Sequence, residues 1–143
     1  MSTPSFLLRD VTVVDGTGAP PLPGWALVVE GRRIAWMGPA GEAPATAPDT
    51  VVEGGGRTVL PGLINCHVHL TADGAPDTFA QAAFDTVPKA TLRAARNAAL
   101  TLRSGVTTVR DCGAADDVVV ELAGEIDRGA VAGPRVQAAG RSS

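Results

Sequence analysis

The sequence predicts a mixed fold, in which a small, mainly antiparallel β unit is followed by α/β units with parallel strands. Up to about residue 58, short apolar runs are broken by Gly and Pro, and none shows helical periodicity. After Pro61 the order becomes strand, helix, strand, helix, strand, which implies parallel strands joined by right-handed crossovers. A chain of 143 residues is long enough to bury a real core.

The first part contains several short strand segments. "FLLRDVTVVDGTG" alternates as a strand does and breaks at Asp15-Gly16. "WALVVEGRRIAWMGP" has the pattern of a hairpin with Gly31 in its tight turn. We expect "GEAPATAPDT" to be a loop and "TVVEGGGRTVLPG" to contain two more short β segments.

The second part alternates strands with helices. "GLINCHVHL" is a near-continuous apolar run, as expected for a parallel strand buried on both faces. The irregular connection "TADGAPDTFAQAAFD" leads to a helix that Thr86 caps and Gly105 ends. "VTTVRDCG" is the next strand, a second helix runs from Asp116 to Gly129, and "PRVQAAG" begins a third strand. The apolar stripe of the first helix is Leu92, Ala95, Ala99 and Leu102, with Arg93, Arg96, Asn97 and Arg103 elsewhere; that of the second is Val118, Leu122 and Ile126.

Composition excludes several classes of function. The chain is 45% hydrophobic and has no apolar run that could span a bilayer or form a signal-peptide core. Its net charge of −3, without a basic stripe, argues against a nucleic-acid surface. Without an export signal, Cys66 and Cys112 are expected to be reduced thiols in a cytoplasmic protein. Redox and nucleotide-binding domains are disfavoured, because there is no C-x-x-C and no G-x-G-x-x-G between a strand and a helix.

The candidate site is a pair of histidines, His67 and His69, which are the only two in the chain. Side chains alternate along a strand, so both project from the same face, about 7 Å apart at their Cα atoms. They also end the strand, at the edge where parallel α/β folds collect their active-site loops. The alternative is two polar residues that merely close a strand, but these would leave several buried polar atoms to pair. The pattern therefore favours two ligands of one metal ion.

These segments resemble a known family. "TVLPGLINCHVHL" is similar to the first-strand signature of the amidohydrolase superfamily, although Asn65 stands where Asp is commoner. "VVDGTGAPPLPGWALVVEGRRIAWMGPAG" resembles the N-terminal sandwich hairpins of that superfamily, and "SGVTTVRDCGA" resembles its second barrel strand. The resemblance covers essentially the whole chain and is closest to the imidazolonepropionase-like and prolidase-like branch.

The resemblance implies a metal-dependent hydrolase of C–N bonds in amides, cyclic amides, amidines or dipeptide-like substrates. Residues 1–58 would be the N-terminal part of a β-sandwich, and residues 59–143 would begin a (β/α)₈ barrel of the TIM type. His67 and His69 match the first two ligands of one or two ions, usually zinc. The family's further ligands are often a carboxylated lysine on strand four and histidines on strands five and six. Its proton shuttle is typically an aspartate on strand eight, and we expect it beyond Ser143.

Other candidates near the site are weaker. Lys89 falls in the first turn of a helix and does not match the lysine of strand four. Either Arg110 or Asp111 could face the strand ends, and a structural charge contact between them is the favoured interpretation. Thr71 and Asp73 could line a substrate pocket, although ordinary loop polarity explains them equally well. Cys66 should face the helix layer and pack there, because alternation points it away from His67.

The sequence predicts an incomplete barrel and an incomplete set of metal ligands. A closed barrel needs eight strands and roughly 250 residues, whereas this chain supplies about three strands. A catalytic zinc site needs three protein ligands and an open position for water. We therefore expect an N-terminal fragment that is inactive alone, from a parent that takes a small-molecule substrate and is a candidate homo-oligomer. The alternative is a non-catalytic, truncated α/β module that needs a partner chain to fold.

Overall fold

A computed structural model describes residues 5–45 and 48–141 of the chain. The chain divides into two compact units at the boundary between Pro61 and Gly62. Within the described residues, no helix is both long and apolar enough to cross a membrane.

The first unit is a five-stranded sheet of mixed direction. Its strands are β1 (Ser5–Val13), β2 (Leu22–Glu30), β3 (Arg33–Pro39), β4 (Thr50–Glu53) and β5 (Thr58–Val59). The order is β3-β2-β1-β4, with β5 also paired to β1. The β1–β2 and β2–β3 pairs are antiparallel, whereas β4 and β5 run parallel to β1. The prediction of a mainly antiparallel unit is therefore only partly right, because the chain after β3 crosses over before pairing with β1.

The predicted hairpin is confirmed as β2 and β3. Glu30 pairs with Arg33 across a two-residue turn, and Gly31 takes a φ of +59°, which favours glycine. The predicted loop after β3 begins instead with a short 3₁₀ turn, Ala40–Glu42, while its residues 46–47 lie outside the described part of the chain. The core of this unit is formed by Val11, Val13 and Leu27, and β1 bulges at Asp10 to place Val11 there.

The second unit is a three-stranded parallel sheet with helices, as predicted. Its strands β6 (Leu63–Val68), β7 (Val106–Asp111) and β8 (Arg135–Ala138) lie in the order β6-β7-β8. The helices are α1 (Thr78–Phe84), α2 (Val87–Arg103) and α3 (Val118–Asp127). Helix α1 lies in the connection that we expected to be irregular, so that expectation is wrong; an Ala-rich run is enough for two helical turns there.

Helix α2 packs through a different face from the one predicted. Ala94 and Ala98 are fully buried in the core, whereas Leu92 is 74% exposed. Small side chains let the helix lie close to β7, and leucine spacing alone does not identify such a face. The predicted face of α3 is confirmed, with Val118 and Leu122 buried. The whole core cluster is Leu70, Ala94, Ala98, Val109, Ala114, Val118, Val119 and Leu122.

Strand β6 is exposed, contrary to the expectation of burial on both faces. Leu63 and Ile64 are 50% and 68% exposed. The reason is position: β6 is an edge strand that pairs with β7 alone within the described sheet. An apolar run predicts burial only if neighbouring elements cover it.

Candidate metal centre

The two histidines lie side by side at the C-terminal end of β6. Their ring centroids are 5.5 Å apart, and the rings meet edge to face at an interplanar angle of 68°. His67 is in the strand and His69 is the first residue after Val68 ends it. Both side chains are exposed, so their free ring nitrogens are accessible to a ligand.

A backbone carbonyl orients the ring of His69. The Nδ1 atom of His69 lies 2.8 Å from the carbonyl oxygen of Gly113, in the turn after β7. A carbonyl can only accept a hydrogen bond, so Nδ1 must carry the proton in this contact. In the neutral ring Nε2 then keeps its lone pair, which is the form of imidazole that binds a metal.

The buried carboxylate of Asp111 binds the backbone next to His69 and the backbone of the turn after β7. Its side chain is almost completely buried, at 1% exposure. The Leu70 N–H donates to Oδ2 at 2.7 Å, and the Gly113 N–H donates to Oδ1 at 3.0 Å. The carboxylate therefore links the residue after His69 to the residue that orients its ring.

Arg110 and Asp111 have separate partners. The Arg110 side chain is exposed, and its Nε donates to the carbonyl of Cys66 at 2.7 Å. The described ion pairs do not include one between Arg110 and Asp111. The predicted charge contact is therefore wrong, because alternation along β7 sends the two side chains to opposite faces.

Helix α2 holds the segment that follows the histidines. The Asn97 Nδ2 atom donates to the carbonyls of Leu70 and Ala72 at 2.9 and 2.8 Å. Arg93 Nη1 donates to the carbonyl of Thr71 at 2.9 Å. Sequence reasoning missed both side chains, and their i, i+4 spacing on one helix face is the only signal that could have found them.

A cluster of charged side chains lies beside this segment and contacts it through Arg93. Its members are Asp73, Asp85, Lys89 and Arg93. Asp85 pairs with Arg93 and, at 2.6 Å, with the Nζ atom of Lys89. Hydrogen bonds from Lys89 and then from Arg93 lower the pKa of the Asp85 carboxyl. Arg93 Nε also lies 3.7 Å from the Oδ2 of Asp73. Lys89, in the first turn of α2, thus forms an ion pair with Asp85. Arg93 contacts the backbone carbonyl of Thr71 and the carboxylate of Asp73.

The two cysteines are both free thiols. Cys66 is exposed, so the prediction that it packs against the helix layer is wrong; the pairing of β6 with β7 shifts register between Asn65 and Val68, which interrupts the alternation on which that prediction rested. Cys112 is half-buried, with its Sγ 3.9 Å from the carbonyl oxygen of Cys66.

The donor set fits part of a metal site. Two neighbouring imidazoles, one with its Nδ1 atom hydrogen-bonded to a backbone carbonyl, have the chemistry of first ligands for zinc or another divalent transition metal. Within the ranges 5–45 and 48–141, no group of three or more His, Cys, Asp or Glu side chains is placed to hold an ion. At least one further protein ligand is needed for a catalytic zinc site.

Residues 58–142 match the amidohydrolase family. The chain is 37% identical over 115 residues to the imidazolonepropionase of Micrococcus luteus, which is 80% of this chain and 25% of that protein. A solved Xaa-Pro dipeptidase with bound methionine is similar over 96% of this chain and 34% of its own, with a TM-score of 0.82 and 26% identity. Phenylurea hydrolase B is similar over 96% of this chain and 30% of its own, with a TM-score of 0.81 and 33% identity. The chain thus spans about a quarter to a third of these relatives.

Proposed function

We propose that this chain, which belongs to the amidohydrolase family, contributes two histidine ligands to a metal-dependent hydrolase of C–N bonds. The observation that supports this most is the pair at the end of β6. The rings of His67 and His69 are 5.5 Å apart, and the Gly113 carbonyl leaves Nε2 of His69 as the free nitrogen. Such a hydrogen bond to the second nitrogen is typical of a metal-ligating histidine.

The proposed cofactor is zinc or another divalent transition metal, as one or two ions. The chemistry supplied at such a site is activation of a water molecule and polarisation of the scissile carbonyl. The part that this chain would play is to hold two nitrogens in place. Helix α2 would keep the segment after the histidines fixed through Arg93 and Asn97. Thr71 and Asp73 would lie beside the substrate rather than contact the reacting atoms.

The proposed substrates are amides, cyclic amides and dipeptide-like compounds. The three relatives are an imidazolonepropionase, an Xaa-Pro dipeptidase and a phenylurea hydrolase, and their substrates differ. The similarity therefore supports the class of reaction and does not select one compound. A small-molecule substrate, a cytoplasmic location and a homo-oligomeric parent are parts of the same proposal.

We further propose that residues 1–58 belong to a composite β-sandwich and residues 59–143 to the start of a (β/α)₈ barrel. The remaining metal ligands and the aspartate that shuttles protons would then come from residues beyond Ser143. Two imidazoles do not complete a catalytic zinc site, so the isolated chain should have no hydrolase activity.

A non-catalytic module that folds against a partner chain is the second candidate. The observation that favours it is the exposed apolar edge strand, with Leu63 50% and Ile64 68% exposed. Reading the coding sequence after "AAGRSS" separates the two candidates. A later lysine, two strand-ending histidines and a late aspartate would support the hydrolase, whereas a stop codon with no complementing chain would support the module.

The experiment that tests the hydrolase proposal is turnover on amides, cyclic amides and dipeptides. The 143-residue chain should be inactive, and the whole reading frame should be active with a divalent metal. His67→Ala and His69→Ala should each abolish that activity, while Asp127→Asn, at an exposed position at the end of α3, should not change it. Activity of the whole protein that survives both histidine substitutions would contradict the proposal.

A further inference from the structure

We propose that Asp111 is a positioning residue that fixes the ring orientation and the tautomer of His69. The importance of this for metal binding rests on the proposed function above. The two carboxylate oxygens of Asp111 accept hydrogen bonds from two backbone N–H groups. One belongs to Leu70, the residue after His69, and the other belongs to Gly113, whose carbonyl oxygen contacts the His69 ring.

The first oxygen acts on the backbone of His69. The Oδ2 atom of Asp111 accepts the N–H of Leu70 at 2.7 Å, which anchors the peptide unit that joins His69 to Leu70. Leu70 is itself buried in the core at 3% exposure. The Cα atom of His69 is therefore fixed relative to β7.

The second oxygen acts on the acceptor of the His69 ring. The Oδ1 atom accepts the N–H of Gly113, whose own carbonyl oxygen lies 2.8 Å from Nδ1 of His69. Gly113 has a φ of +123°, a conformation that residues with a side chain rarely adopt. The carboxylate thus helps to hold a peptide in the orientation that points its carbonyl at the ring.

Asparagine has the same shape as aspartate at this position, but it could accept only one of the two hydrogen bonds from Leu70 and Gly113. An Asn side chain offers one carbonyl oxygen, and its NH₂ group would face the second N–H. A buried N–H left without an acceptor is costly, so the turn would shift to find another. Once the Gly113 carbonyl moves, the proton of the neutral ring is free to transfer to Nε2, which then cannot bind a metal.

The test is the tautomer of His69 in the metal-free 143-residue chain. Long-range proton–nitrogen correlation spectra, recorded where both rings are neutral, distinguish a protonated nitrogen from an unprotonated one. In the unsubstituted chain we expect the proton of His69 on Nδ1. In Asp111→Asn we expect a large shift toward Nε2–H, with no change at His67. Asp127→Asn, which makes the same change at an exposed position in the same unit, should leave His69 unchanged.

Zinc affinity provides the second measurement. Asp111→Asn should weaken zinc binding about 10- to 100-fold, the range observed when such supporting partners are removed. Asp127→Asn should bind as the unsubstituted chain does. If the unsubstituted chain binds no zinc, the expected binding by these two histidines alone is wrong, while the tautomer result still stands; the proposed hydrolase function is tested separately, by turnover of the whole reading frame. If it binds zinc and folded Asp111→Asn keeps both the affinity and the Nδ1–H tautomer, the positioning role is wrong.

A measurement without substitution covers the case in which Asp111→Asn does not fold. Couplings across the hydrogen bonds should connect the amide nitrogens of Leu70 and Gly113 to the carboxyl carbon of Asp111. These couplings together with an Nδ1–H tautomer support the inference. Absence of either coupling, or an Nε2–H tautomer of His69, would overturn it.

Discussion

Gly62 lies so close to Thr107 that a Cβ atom on the glycine would be 2.0 Å from the Thr107 Oγ1 atom. The same Cβ would be 2.7 Å from the Thr107 Cβ, so rotation of the threonine side chain cannot relieve the clash. The glycine of the "LPGL" segment is therefore needed where the chain enters β6 beside β7.

We predict that Gly62→Ala destabilises the chain by about 1–3 kcal/mol, the usual cost of forcing extra atoms into a packed contact. Denaturant unfolding measures this change. Gly124→Ala is the matched control, since its Cβ would meet nothing within 4 Å in helix α3. That variant should be neutral or more stable by up to about 1 kcal/mol. Equal stability of Gly62→Ala and the unsubstituted chain would contradict the close approach.

Asn97→Ala should loosen the segment after the histidines. The substitution removes both hydrogen bonds to the carbonyls of Leu70 and Ala72, so we expect a loss of about 1–3 kcal/mol. Hydrogen exchange of the Ala72 amide, which donates to the His69 carbonyl, should become faster. Arg96→Ala, on the exposed side of the same helix, should change stability by less than about 0.5 kcal/mol. Unchanged protection of Ala72 in Asn97→Ala would show that α2 does not hold this segment.

Asp85 makes stability depend on pH in the acid range. Its pKa in the folded chain is lowered by hydrogen bonds from Lys89 and Arg93, below the usual value of about 3.9 in the unfolded chain. The unfolded state then binds the proton more readily, so this stabilisation is present above the unfolded pKa. It is lost as the pH falls through the folded pKa.

Asp85→Asn should therefore be less stable than the unsubstituted chain at pH 7, and the difference should shrink as the pH falls to about 2. Unfolding free energies of both proteins across this range measure the effect. Asp127→Asn is the control for loss of one carboxylate. A difference that is constant with pH would contradict the assigned cause.

Cys66 should react faster than Cys112 with a thiol-alkylating reagent, because the first side chain is exposed and the second is half-buried. Mass spectrometry of the folded chain after short exposure to iodoacetamide locates the label. Cys66→Ser should remove the fast phase and leave the slow one. Equal rates at the two thiols would mean that β6 is covered in solution.

The extent to which sequence predicts this structure depends on how local each feature is. The spacing of His67 and His69 predicts two rings on one side of a strand, and their centroids are 5.5 Å apart. The hairpin turn at Gly31 and the three parallel strands also follow from local signals, namely a glycine in a tight turn and strands that alternate with helices.

Features that depend on distant partners are not visible in the sequence. Periodicity assigned the packing face of α2 to Leu92, but the buried contacts are made by Ala94 and Ala98. The roles of Arg93 and Asn97 were missed, because their acceptors are backbone carbonyls about 22 to 27 residues away in the chain. The exposure of β6 was missed because burial depends on which elements cover a strand.

The central claim is that His67 and His69 are two ligands of one metal ion. Titration of zinc or cobalt into the 143-residue chain, followed by calorimetry, tests it most directly. We predict weak binding of a single ion by the unsubstituted chain and by Cys66→Ser, with loss of binding in His67→Ala and in His69→Ala. Binding that persists in both histidine variants, or that is lost in Cys66→Ser alone, would contradict the account.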